Sequence, residues 1–325
     1  MKYKSAPSGL GAIVCIGILI LDSKTALSGA QEGIRLCLQT VIPSLFPFFV
    51  LSGIITNAFF GYPGAAFSPL GKLFLLPEGA ESILIPAFLG GYPVGARSVA
   101  EAYRHGQLDP EEAQRMLAFC NNPGPAFLFG MGGVLFTDKR LPWVLWSIII
   151  ISSLAVARIF PVTQKQSVQQ MSKPSQESII HISLKAMSAV CGWVVLFRVV
   201  IAFCNRWFLW LLPEWARVMV IGILEISNGC AALSGIAQES LRFLLAVCLF
   251  SFGGLCVTMQ TVSVTQGLSK RYYLLGKSLQ TLFSLVLSLC VICHSWVLLL
   301  LLAITIFIFP IKIKNSGSIP RKAIV

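Results

Sequence analysis

Read for hydrophobic and polar positions, the chain is a series of apolar runs separated by short polar gaps. The first run, Leu10 to Leu21, follows the positive start Met1-Lys2-Tyr3-Lys4. It predicts a spanning helix that is kept as a signal anchor. The alternative is a signal peptide, with Ser28-Gly29-Ala30 as a small-residue cleavage site. No charged residue occurs from Leu36 to Gly71, which predicts a second span over about Val41 to Phe60, entered through Pro43 and Pro47.

Two later runs are interrupted. Ser82 to Val99 is cut by Gly90-Gly91-Tyr92-Pro93, and Met116 to Thr137 by Asn121-Asn122-Pro123-Gly124-Pro125. Between them Asp109-Pro110-Glu111-Glu112 reads as a helix start, with Asp as N-cap, Pro at the first helical position and Glu at the third. Leu141 to Ala157 is an unbroken span. Pro161 to Ile179 is a polar, Ser/Gln/Lys-rich linker. Apolar segments follow at Ile182 to Leu212, Val218 to Gly235, Leu244 to Val264, Tyr272 to Cys293 and Trp296 to Phe309.

Composition fixes the class. Of 325 residues 56% are hydrophobic and only 12% charged, with mean hydropathy +0.80, whereas soluble domains carry about a quarter charged residues. A soluble enzyme, a disordered tail and a fibrous repeat are excluded together. At roughly 20 apolar residues per spanning helix the chain holds about eight spans. The net charge of +12 reflects Lys and Arg gathered in cytoplasmic loops, not a nucleic-acid surface. Six of the ten cysteines (Cys15, Cys191, Cys204, Cys248, Cys256 and Cys290) lie in apolar runs, where a thiol acts as a small hydrophobe.

Lys2 and Lys4, the linker lysines Lys165, Lys173 and Lys185, the group Lys270, Arg271 and Lys277, and Lys312, Lys314, Arg321 and Lys322 all mark the inner side. They agree only if Ser82–Val99 and Val218–Gly235 enter and return without crossing. The expected fold is therefore an all-α polytopic membrane protein of about eight spans plus two re-entrant or broken helices, in two inverted-topology halves. Its parts are a signal-anchor span (1–30), a first membrane repeat (31–161), a cytoplasmic linker (162–180), a second repeat (181–311) and a basic cytoplasmic tail (312–325). Both termini are expected in the cytoplasm and the protein in the cell (inner) membrane. The second half echoes the first through breaks at Glu225-Ile226-Ser227-Asn228-Gly229 and Ser251-Phe252-Gly253-Gly254.

Backbone cannot stay unpaired in lipid, so a broken helix at membrane depth is buried in protein or lines a wet cavity. The breaks thus point to a solute or ion site between the halves, including Gly91 and Gly229; tight helix packing is the alternative. Glu225 is the sharpest residue, because a carboxylate in a membrane segment is costly and suggests function. It carries a proton, binds Na⁺ or accepts hydrogen bonds from a polar solute, or else forms a structural ion pair with Arg198 or Arg97. Arg97 and Glu101 are spaced as a helical surface pair; the minority reading turns Arg97 toward an anionic solute. Asn121, Asn122, Asn228 and Gln260 offer amides to a polar, uncharged ligand, or simply join helices.

Other motifs fall away. Cys290-Val-Ile-Cys293-His294 matches a haem-attachment pattern but sits in a short turn with no soluble pocket. Gly276-Lys277-Ser278 lacks the phosphate-loop glycine, Arg271 standing in its place. No metal cluster, cofactor or catalytic group is expected, and no enzyme activity.

Pro43-Ser-Leu-Phe-Pro-Phe-Phe, Gly90-Gly-Tyr-Pro-Val-Gly-Ala-Arg97, Leu117-Ala-Phe-Cys-Asn-Asn-Pro-Gly-Pro125 and Ser251-Phe-Gly-Gly254 followed by Gln260 together resemble the sporulation membrane proteins of the nucleoside-recognition (Gate) domain family, from about Ile34 to Leu282. The resemblance implies a duplicated membrane domain shared with nucleoside carriers and with spore-maturation and ferrous-iron transport proteins. It also implies a role in forming the spore envelope, and no catalytic residues. The expected function is a transporter-like permease for a small polar solute, nucleoside-like or other, with a coupling ion. The rival is a membrane scaffold that recruits envelope-assembly proteins through the linker. The lipid bilayer is the one sure partner; oligomeric state is left open.

Overall fold

The computed structural model describes residues 6–59, 68–77, 79–160 and 178–295. Most of the expected linker, the expected last span Trp296–Phe309 and the basic tail lie outside them. Among the described residues the chain is helical, with no strand: α1 (Ala6–Leu21), α2 (Ser23–Leu36), α3 (Ile42–Phe59), α4 (Ser68–Leu73), α5 (Leu84–Leu89), α6 (Val94–Arg104), α7 (Pro110–Leu117), α8 (Pro125–Leu135), α9 (Leu141–Ile159), α10 (Ile179–Trp207), α11 (Glu214–Leu224), α12 (Ile226–Leu233), α13 (Glu239–Phe252), α14 (Gly254–Val264) and α15 (Lys270–Ile292).

Four helical stretches are long and apolar enough to cross a membrane: α9, α10, α13 with α14 taken together, and α15. A fifth counts if α1 and the helix after it, which meet at 97°, form one bent span. At 1.5 Å per residue α9 is roughly 28 Å long and α10 roughly 43 Å, against a hydrocarbon core of about 30 Å. α1 shows the solvent for which the fold is built. Leu10 is 66% exposed and Ile20 72%, and nothing approaches Gly9, Gly11 or Gly17. An apolar helix bare on all sides is at rest in lipid, not in water.

The boundary at residue 30 falls inside α2, whose Gly29 and Gly33 lie flat on α10. A Cβ on Gly29 would stand 2.9 Å from the Val199 Cα, and one on Gly33 2.8 Å from the Val195 Cα. This small-xxx-small seam brings the two backbones together as in membrane helix pairs. Two ion pairs flank it, Arg206 with Asp22 at 2.8 Å and Arg198 with Glu32. After α2 the ladder slips into a π turn, Cys37–Val41, where the N–H of Ile42 reaches the Cys37 carbonyl. Pro43, lacking an N–H, removes the regular partner of the Gln39 carbonyl and favours that slip.

Contacts between loops identify the two ends of the helix layer. At one end the Thr137 N–H donates to Glu239 (3.1 Å) and Phe136 packs on Phe243. Glu214 and Gly235 also touch there, so the α11–α12 hairpin leaves by the end through which it entered. At the other end Phe160 packs on Tyr272 and Gly267 lies near the Tyr103 ring. Arg115 there donates to the carbonyls of Leu75 (2.7 Å) and Ala157 (3.0 Å). α5 and α6 fold back on each other in the same manner, Gly95 lying against Ala87, and return to this second end. α13 and α14 are the two parts of one interrupted span, while α7 and α8 follow one another across the Asn121–Pro125 break.

The helix start at Asp109-Pro110 stands where the motif puts it, but its cap differs. The Asp109 side chain makes no capping bond, and Glu112 turns instead to Arg115 at 2.8 Å. Arg115 is 1% exposed, and a buried guanidinium needs an anion more than the helix needs a second cap. The α2–α10 seam yields a test: Gly33→Leu overpacks it and costs about 1–3 kcal/mol, read as a lower melting temperature of the purified protein. Gly11→Leu on bare α1 leaves the melt unchanged.

Candidate functional site

Glycine decides how closely the hairpin tips approach the helix breaks. Gly91 holds φ +77°, and a Cβ on it would stand 2.8 Å from the Gly124 nitrogen, so the α5–α6 tip rests on the α7–α8 break. Gly254 holds φ +83°, and a Cβ on it would stand 2.9 Å from the Gly222 carbonyl and 3.1 Å from that of Ile223, so the α13–α14 break rests on the α11–α12 tip. Left-handed glycine is what lets backbone meet backbone here. The halves are then joined by Tyr92, whose hydroxyl donates to the Phe250 carbonyl at 2.6 Å and whose ring covers Gly253.

Where these tips meet lies a cavity of about 50 Å³, lined among others by Thr40, Gly91, Tyr92, Gly124, Glu225 and Gln260. One water needs roughly 10–15 Å³ of such space, so the cavity holds a few. Of the residues singled out from the sequence, Glu225, Gly91 and Gln260 come together here.

Glu225 is 2% exposed and caps α12. Its carboxylate accepts from the N–H of Ser227 (3.1 Å) and Asn228 (2.8 Å), and from the Asn228 side-chain amide (2.6 Å). The α12 N-terminus, with its free N–H groups and positive dipole end, offsets the charge without a cation. Neither expected ion-pair partner is used. Arg97 binds Glu101 at 2.8 Å, and Arg198, within electrostatic reach of Glu225, binds Glu32.

The other candidates stand off the cavity. Asn228 supports Glu225, while Gly229 packs into Gly222. Asn121 donates to the Thr261 hydroxyl (2.8 Å), and its buried amide oxygen meets no partner among the described residues. Asn122 belongs to a separate buried network. It donates to the Phe119 carbonyl (2.7 Å), and its oxygen accepts from Ser153 (3.0 Å) and Gln280 (2.7 Å).

That network ends on Lys277, read from sequence as an inner-loop marker. The side chain is instead buried, 2% exposed, two turns into α15. It donates to the Gln280 side chain (2.9 Å) and the Ser251 carbonyl (3.3 Å), and lies 5.6 Å from the Tyr92 ring centre. Tyr92, Gln280, Ser153 and Thr40 were likewise not singled out. A sequence signal for Lys277 does exist: it follows the N-cap Ser269 by too many residues to be a helix-end charge.

Removing the Asn122 oxygen takes away the acceptor of the Ser153 hydroxyl and one of those of the Gln280 amide, which keeps Ser153 and the Ile149 carbonyl. Asn122→Ala is therefore expected to lose about 1–3 kcal/mol in thermal unfolding, while Ser188→Ala on the exposed face of α10 stays near wild type.

No protein-family model matches the chain, and no solved structure matches it. One curated protein does: the chain is 29% identical over 143 residues, 42% of its length, to the sporulation integral membrane protein YlbJ of Bacillus subtilis (strain 168). The match covers 35% of that relative, so the chain spans about a third of its length. The resemblance to a sporulation membrane protein drawn from the motifs is thus borne out, and the chain is a multi-pass membrane protein similar to YlbJ over that stretch.

Proposed function

We propose that this protein is a sporulation-associated permease for a small polar solute, with the Glu225 cavity as the core of its binding site. The observation that carries the reading is a buried carboxylate facing a water-sized cavity where two hairpin tips meet. Four further points of the reading are that the protein has no enzyme activity, is coupled to an ion, contains a Gate-type domain and lies in the cell membrane with both termini inside.

An inverted repeat of about eight spans is part of the same reading. In chain order, the first half offers α3, the α5–α6 hairpin, broken α7–α8 and α9. The second half offers α10, the α11–α12 hairpin, broken α13–α14 and α15. The hairpins enter from opposite ends of the layer, which supports halves of opposite orientation and alternating access by rocking of one against the other. The end with Arg206 and Glu239 is then outside and the end with Tyr272 inside. The scaffold alternative rests on the linker at 162–180, and no described residue favours it.

Glu225→Gln keeps one oxygen for the Asn228 N–H and side-chain amide but turns a donor toward the Ser227 N–H, a loss of about 1–3 kcal/mol, so the ligand shifts are read relative to each protein's own ligand-free melt. In a melting screen of purified protein against nucleosides and other small polar solutes, a solute is expected to stabilise wild type and to lose that effect in Glu225→Gln. Equal shifts in both proteins, or no shift with any solute, count against the permease.

A further inference from the structure

Lys277 stands apart from the Glu225 cavity and has no part in the reading above. Its amine is buried, and no carboxylate among the described residues reaches it. An uncompensated amine at membrane depth is retained for a reason. Its surroundings are all electron-rich. The Ser251 carbonyl comes from the last turn of α13, the negative end of that half-helix; the others are the Gln280 side-chain oxygen and the face of Tyr92. An ammonium has three N–H donors and no acceptor, and here it meets three acceptors. A neutral amine would turn its lone pair toward one of them. Carbonyls at the end of an interrupted membrane helix are the setting in which transporters hold a metal cation.

We propose that the Lys277 ammonium is a built-in cation, filling the carbonyl-end site of broken helix α13 that an ion from solution would otherwise occupy. Through Tyr92, which it covers and which bonds the Phe250 carbonyl, the same ammonium holds the first hairpin tip against the second broken helix. Lys277 is thus a positioning residue whose charge, not only its bulk, is used. This inference goes beyond the permease reading and needs no solute, so either can fail without the other.

The test measures melting of the full-length protein in detergent in choline, sodium, ammonium or methylammonium chloride at equal ionic strength. With Lys277 in place and the cavity carboxylate removed, Glu225→Gln is expected to melt at one temperature in all four. Lys277→Ala opens the site, and ammonium and methylammonium are expected to raise its melting temperature by several degrees over choline. The proposal is overturned if Glu225→Gln, which removes the cavity carboxylate and keeps Lys277, melts higher in sodium than in choline, because a solution ion then already sits at the end of α13. It is also overturned if Lys277→Ala responds to the salts as wild type does. Should the alanine variant not fold, Lys277→Gln keeps N–H donors without charge. A melt equal to wild type then overturns the proposal, and a lower melt supports it; the sodium-against-choline comparison leaves Lys277 untouched.

Discussion

The constraint on which everything else depends is that backbone N–H and C=O groups at membrane depth must find partners inside the protein. Among the described residues the helices are interrupted at four places in that layer, and each interruption leaves a helix end to be satisfied. The described residues meet that demand with side chains brought from elsewhere. Glu225 takes the N–H groups at the start of α12. The Tyr92 hydroxyl takes the Phe250 carbonyl, and the Lys277 amine the Ser251 carbonyl, at the end of α13. Glycine then lets the tips and breaks pack directly on one another, Gly91 on Gly124 and Gly254 under Gly222.

That demand also explains the signs of Glu225 and Lys277. The carboxylate sits at a helix N-terminus and the amine at a helix C-terminus, where the two ends of the peptide dipole favour them. The two need not pair with one another, and they do not. Tyr92 touches both surroundings, lining the cavity with Glu225 and lying beneath Lys277. A shift of the first hairpin tip is therefore felt at both charges.

The breaks were readable in the sequence because Gly-Gly-Tyr-Pro and Asn-Asn-Pro-Gly cannot continue a helix, and Glu225 because a carboxylate follows an apolar run. Their partners were not readable. Arg198 chose Glu32, far away in sequence, since the α2–α10 seam brings them together, and that seam hid in Gly29 and Gly33, which also read as a cleavage motif. Asn122 looked like a ligand-binding amide, but helix packing turns it to Ser153 and Gln280. Lys277 was hidden by its neighbours. Beside Lys270 and Arg271 it passes for a loop charge until the helix start at Ser269 places it two turns deep.

Size sets the last step. Sites that enclose drug-sized ligands measure about 300–1,000 Å³, whereas this cavity of about 50 Å³ takes only a few waters. If the proposed solute is to be held beside Glu225, the site has to enlarge. At the hairpin tips the glycines pack backbone directly on backbone, with no room even for a Cβ. The wall formed by Thr40 and Val41 is different, because it belongs to the π turn Cys37–Val41 and is followed by Pro43. A π turn ahead of a proline has the weakest ladder in its helix, so α3 can swing about it while the tips stay joined. The soft wall thus faces the carboxylate, and the rigid walls are the broken helices themselves.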